Sequence, residues 1–274
     1  DQSFGELLKT LTTLQLREKT VLIFFSDNGG YGPVTSMQPL RGSKGMLYEG
    51  GIRVPLIVHW PGKTKPGHVA RELVSTLDLL PTLLAVASAE PIENLPGMSL
   101  APLLRGESPA WRRYLFTEYH THSAHNFYPQ RTVRNARYKL VLNLQPGQEN
   151  PGYEFTMKRF FPDLATSIEE APDHVRESYR RMKRPGEFEL YDLQQDPYEF
   201  TDLVSNAANA AVLAELKQQL AVQLQSLPQR LLQQHQDQQL SFLQQHPAQQ
   251  QDWPQPWQRL YPPFDLVLLQ QQLP

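Results

Sequence analysis

Cysteine is absent from this chain, which removes disulfides, thiolate metal sites and a cysteine nucleophile together. Long apolar runs are missing as well. None approaches the roughly 18 residues that span a bilayer, and the late run at residues 264–269 is far too short, so no membrane partner is expected. An excess of one charge is also lacking: the net charge is −2, which gives no electrostatic reason to expect nucleic acid. There is no initiating methionine. The chain starts on Asp1 with no basic, apolar, small-residue leader before it, and the expectation is that it has been processed or truncated and that something lies upstream.

What is present fits a soluble globular protein. At 274 residues, 40% hydrophobic and 20% charged, the chain can build one large domain or two smaller ones, each with its own core. Phe4, Leu7, Leu8, Leu11 and Leu14 recur at three- and four-residue steps, one face of an amphipathic helix. "VLIFF" follows a polar break and reads as a strand covered on both faces of a parallel sheet. "VPLIVHW" reads as the next strand, and "ELVSTLDLLPTLLAVAS" as helix, with Pro81 marking a kink or a fresh start. "LPGMSLAPLLRGES" reads as a loop with one short turn. After about Trp111 come "YLFTE", "RTVRNA", "YKLVLNL" and "FELYDL", short β-type runs that suit a small antiparallel sheet. Residues 145–185 are polar and proline-rich, so a long surface insertion with one helix is expected there. Helical spacing resumes through Leu213, Leu216, Leu220 and Leu224; beyond it lies a glutamine-rich tail, partly helical or disordered.

Two stretches carry chemistry. Straight after "VLIFF", Asp27 and Asn28 offer a carboxylate and an amide oxygen at a strand's carboxyl end, followed by Gly29 and Gly30. Hard cations such as Ca²⁺ or Mg²⁺ take such ligands, and ligands collect at strand ends of open α/β sheets; the same four residue types also make an ordinary turn. The second stretch, "LRGSKGMLYEGGIRVP", sets Arg41, Lys44, Glu49 and Arg53 among glycines. It reads either as an oxyanion cradle for sulfate or phosphate or as a solvated basic loop. It matches neither G-x-x-x-x-G-K-S/T nor G-x-G-x-x-G, so nucleotide binding is not supported. "EYHTHSAHNF" adds His120, His122 and His125 in no standard zinc spacing, leaving a surface loop, a substrate contact or a separate transition-metal site.

The runs "FGELLKTLTTLQLREKTVLIFFSDNGG", "LRGSKGMLYEGGIRVPLIVHWPGK", "STLDLLPTLL" and "LPGMSLAPLLRG", then "RTVRNARYKLVLNL" and "ELYDLQQDPYEFTDL", resemble the type I, formylglycine-dependent sulfatases of the alkaline-phosphatase-like superfamily, in order from Asp1 to about Asn206. The resemblance implies an α/β fold: the C-terminal part of a three-layer sulfatase domain at 1–112, a small antiparallel α+β domain at 113–206, and a helical then glutamine-rich tail at 207–274. It implies that Asp27 and Asn28 are metal ligands, for Ca²⁺ in preference to Mg²⁺, and that Lys44 contacts the sulfate group in binding and catalysis. It places His122 and His125 beside a sulfated carbohydrate substrate. The family's acidic pair and its C/S-x-P-S/A-R motif, which yields formylglycine, have no counterpart before Asp27, so the nucleophile is expected in a missing N-terminal half or a partner chain. "SLPQR", Ser226 to Arg230, fits that motif only loosely and in the wrong place. The stretch "HNFYPQRTVRNARYKLVLNL" is similar to the heparan N-sulfatase (sulfamidase) branch, whereas R-G-S-K-G looks more like the O-sulfatases. A phosphatase or phosphonate monoester hydrolase of the same superfamily, or a non-catalytic fragment, is the alternative. Family resemblance points to a periplasmic or extracellular location.

Overall fold

The computed structural model describes residues 2–32, 34–120, 128–153 and 163–226. They fall into two compact units, Asp1–Gly29 with Arg53–Leu115, and Gly30–Ile52 with Phe116–Pro274; α2 (Glu49–Ile52) and α4 (Ala101–Leu104) are single helical turns.

In the first unit, helix α1 (Gln2–Thr13) leads through a 3-10 turn (Arg17–Lys19) into strand β1 (Leu22–Phe25). Its partner is β2 (Leu56–His59), and the pairing is antiparallel, with Leu22 opposite His59 and Phe25 opposite Leu56. The parallel, doubly covered strand expected from "VLIFF" is therefore corrected. An apolar run reports a strand's hydrophobicity and not its direction, and here Phe24, Phe25 and Ile57 remain exposed. Phe4 of α1 sits edge-on to Phe24, with ring centroids 5.9 Å apart, so the helix's apolar face meets the strand at one ring while Leu7 stays exposed.

The rest of this unit is organised by Asp78. Fully buried, its carboxylate accepts from the backbone N–H groups of Ser75 and Met98, both at 2.8 Å, and from Nη1 and Nη2 of Arg112. Ser75 and Asp78 form a capping box, which satisfies orphan N–H donors at the helix start. Pro81 then falls in the first turn of α3 (Leu79–Val86), where a missing N–H costs little; it marks a fresh start rather than a kink. Gly97 is required here because a Cβ would lie 2.0 Å from the Leu77 carbonyl oxygen.

The second unit is built on a four-stranded sheet ordered β3 (Leu115–Tyr119), β4 (Gln130–Arg134), β5 (Tyr138–Asn143) and β6 (Phe188–Asp192). β4 pairs with β5, and β5 with β6, antiparallel, as the short runs predict. Strand alternation sorts the two faces. Leu140, Leu142, Phe188 and Leu190 share one, which meets helix α7 (Ala210–Ser226): Lys217 Nζ lies 3.7 Å over the Phe188 ring, and Leu216, Leu220 and Leu224 are buried. Lys139, Val141, Asn143, Glu189 and Tyr191 share the other. There Val141 and Tyr191 pack with Tyr48 and Met182, joined by Leu164, Ile168 and Tyr179.

Those last residues correct a second expectation. Among the described residues of 145–185, helices α5 (Leu164–Glu169) and α6 (Asp173–Lys183) supply core rather than a surface insertion. Their average polarity hides an apolar stripe, since a helix needs only one face to pack. Among the described residues no helix is long and apolar enough to cross a membrane.

Leu216 has no exposed surface, so Leu216→Ala is expected to cost about 2–5 kcal/mol by urea unfolding, against about 0.5 kcal/mol or less for exposed Val222→Ala. Equal effects would show that α7 is not held by its leucine stripe.

Candidate functional site

β1 ends on Phe25, and the next residues fold on their own side chains. Ser26 Oγ donates to the Asn28 carbonyl at 2.7 Å, and Asn28 Nδ2 donates to the Gly29 carbonyl at 2.9 Å. Short polar side chains bonding to nearby backbone make a turn of this kind. With its amide nitrogen engaged, Asn28 has Oδ1 to offer a ligand. Asp27 is exposed. A hard cation asks for six to eight oxygens, and among the described residues no group of three or more His, Cys, Asp or Glu stands close enough to hold a metal ion. The pair fits as part of a cation's shell and not as the whole of it.

Lys44 lies in the other unit, on a segment that turns back on itself. Gly50 N–H donates to the Arg41 carbonyl at 2.7 Å, and Gly51 N–H to the Tyr48 carbonyl at 2.8 Å. A Cβ on Gly50 would lie 2.5 Å from two carbonyl oxygens, and one on Gly51 2.0 Å from a third, so only glycine permits this closure. Lys44 is exposed on the bend, with its own N–H bonded to the Gly30 carbonyl at 3.0 Å.

The sequence offered Arg41, Lys44, Glu49 and Arg53 as one charged set; the structure divides them. Lys44 and Arg53 are exposed, whereas Arg41 and Glu49 are buried framework. Arg41 lies 4.0 Å from the Tyr48 ring centre and donates to the Ser178 carbonyl at 3.0 Å and to the Glu199 carbonyl. Glu49 accepts from Arg134 at 2.7 Å and faces Lys139 Nζ at 3.4 Å. Lys139, fully buried, also meets Glu199 at 2.8 Å. Burial works to raise the Glu49 carboxyl, but Lys139 and Arg134 together outweigh it and hold it below the ordinary glutamate value of 4.5. For Glu199 burial wins over Lys139, with Glu49 adding to it, and the carboxyl is pushed up. Beside them Glu189 takes the hydroxyls of Tyr48 and Tyr191 and the Asn143 amide. Burial raises both tyrosines well above their usual value, leaving them as neutral donors.

Lys139 and Glu199 were not singled out from sequence. The signal was available: Lys139 and Asn143 interrupt an otherwise apolar strand, and a strand buried on both faces must pair such groups. His122 and His125 lie outside the described residues, as do the tail and Leu227 to Arg230 of "SLPQR". His120 is described, 3.8 Å from Glu118.

Residues 43–155 match the family model described as N-sulphoglucosamine sulphohydrolase, C-terminal. The chain is 35% identical over 247 residues to human arylsulfatase A, covering 82% of this chain and 42% of that protein. To human N-sulphoglucosamine sulphohydrolase it is 31% identical over 234 residues, covering 81% and 44%. A solved structure described as in complex with its substrate D-glucosamine-2-N,6-O-disulfate superposes with a TM-score of 0.55 at 25% identity, covering 80% of this chain and 37% of that one. The chain thus spans about two fifths of the length of these relatives, and what it matches is their C-terminal part.

Glu49 binds fewer protons folded than unfolded, so the stability it contributes is whole above pH 4.5 and is lost as pH falls through its lower folded-state value. Glu49→Gln is expected to destabilise by about 3–5 kcal/mol at pH 7, with the gap to wild type narrowing as urea unfolding is repeated at more acid pH. A gap that widens toward acid would mean that Glu49 is not held by its cations.

Proposed function

We propose, from a chain that carries the C-terminal part of a sulfatase of the alkaline-phosphatase-like fold, that the protein it belongs to hydrolyses a sulfate ester or sulfamate on a sulfated sugar. The reading is carried by where the family match begins: at residue 43, inside the segment that presents Lys44. The relatives support the substrate class, one by its name and one by the disulfated glucosamine it holds.

In this reading Lys44 gives its ammonium to a sulfate oxygen. A cation on a bend stiffened by glycine closure and buried pairs needs little reorganisation when negative charge develops on the transferring group. Asp27 and Asn28 Oδ1 give oxygens to a calcium ion, which when bound supplies further charge stabilisation to the sulfate. The nucleophile, a formylglycine, comes from outside this chain, and the chain by itself is expected to release no sulfate.

In the full-length enzyme, Lys44→Ala is expected to lower kcat/KM for a sulfated glucosamine by about 100-fold or more. An aryl phosphate turned over as fast as the aryl sulfate would replace the sulfatase reading with a phosphatase one. Calcium is expected to raise the thermal midpoint of the full-length protein, and by less in Asp27→Ala; equal shifts in both would remove Asp27 from the ligand set.

A further inference from the structure

We propose that Glu199 is a positioning residue for Lys44, fastening both ends of the segment that carries it; this rests on the reading of Lys44 as the sulfate contact. Glu199 sits in the turn after β6, fully buried and with φ at 60°. That is left-handed backbone, which a glutamate adopts only where its surroundings impose it. From this one residue two groups reach the lysine-bearing segment. Its backbone carbonyl accepts from the Arg41 guanidinium, and its carboxylate accepts the Glu49 backbone N–H at 2.6 Å.

Arg41 and Glu49 bracket Lys44, three residues after one and five before the other. The Gly50 N–H to Arg41 carbonyl bond brings the two ends together, and Glu199 grips both at that closure. Lys139, 2.8 Å away on β5, holds the gripping carboxylate to the sheet. Glu199 touches no part of Lys44's side chain in this arrangement. Its influence passes through the backbone of 41–49, by fixing where the bend stands.

The test is a double-mutant cycle in the full-length enzyme with Lys44→Ala and Glu199→Gln, read as kcat/KM on a sulfated glucosamine. Glu199→Gln alone is expected to lose about 10–100-fold, the scale of a displaced catalytic group, and mostly in kcat if the ammonium acts on the transition state. In the Lys44→Ala background the same change is expected to cost no more than about twofold. Amide exchange across 41–49 is expected to speed up while β5 keeps its protection. Losses that multiply, or unchanged exchange at 41–49, overturn the proposal while leaving Lys44's role standing. Wild-type activity in Lys44→Ala overturns the sulfatase reading of this segment, and the proposal with it. Should Glu199→Gln not yield folded enzyme, Glu199→Asp, which keeps the charge and shortens the reach, enters the same cycle under the same criteria.

Discussion

A fully buried ammonium, Lys139 on β5, sets the terms for the sheet-centred unit. A charge out of water has to be met by opposite charge at close range, and no neighbour on its own strand can do that. The two carboxylates that meet it come from far along the chain, Glu49 from the glycine-rich segment and Glu199 from the turn after β6. Satisfying one cation therefore pulls both segments onto one face of the sheet. The carboxylates do not share the ammonium evenly. Glu49 has Arg134 as well and is held low, whereas at Glu199 burial outweighs Lys139 and the carboxyl is pushed up.

Around that pairing the same face is polar in an ordered way. Lys139, Asn143, Glu189 and Tyr191 alternate with residues of the apolar face, and each meets a charge, hydroxyl or amide. A buried carboxylate needs donors, and the tyrosine hydroxyls and the Asn143 amide supply them at Glu189. The result is a paired, buried base under a segment that leaves Lys44 exposed.

The first unit shows a different balance. Asp78 gathers its loops with a buried carboxylate whose donors are all internal, so its polar interior is finished. Its apolar exterior is not: Phe24, Phe25, Ile57 and Leu7 stay in water. The same unit carries Asp27 and Asn28, which can supply only part of a cation's shell. Both incompletions agree with a chain that spans about two fifths of its relatives' length.

The sequence by itself determined what depends on near neighbours. Three- and four-residue spacing marked α1 and α7, short β-type runs marked the four-stranded sheet, and glycine beside acid and amide marked the turn at Asp27. Motif order marked the likeness to sulfatases. Strand direction was not legible in "VLIFF", because hydrophobicity is blind to it. In residues 145–185 one helix was legible but not the core packing of that stretch, because polar faces dominate its composition. The division of the charged segment into buried Arg41 and Glu49 and exposed Lys44 was decided by tertiary structure alone. Its cause is pairing across 90 residues, from Glu49 to Lys139, and 150, to Glu199, and whether a charge is buried depends on which partner reaches it, not on the residues beside it.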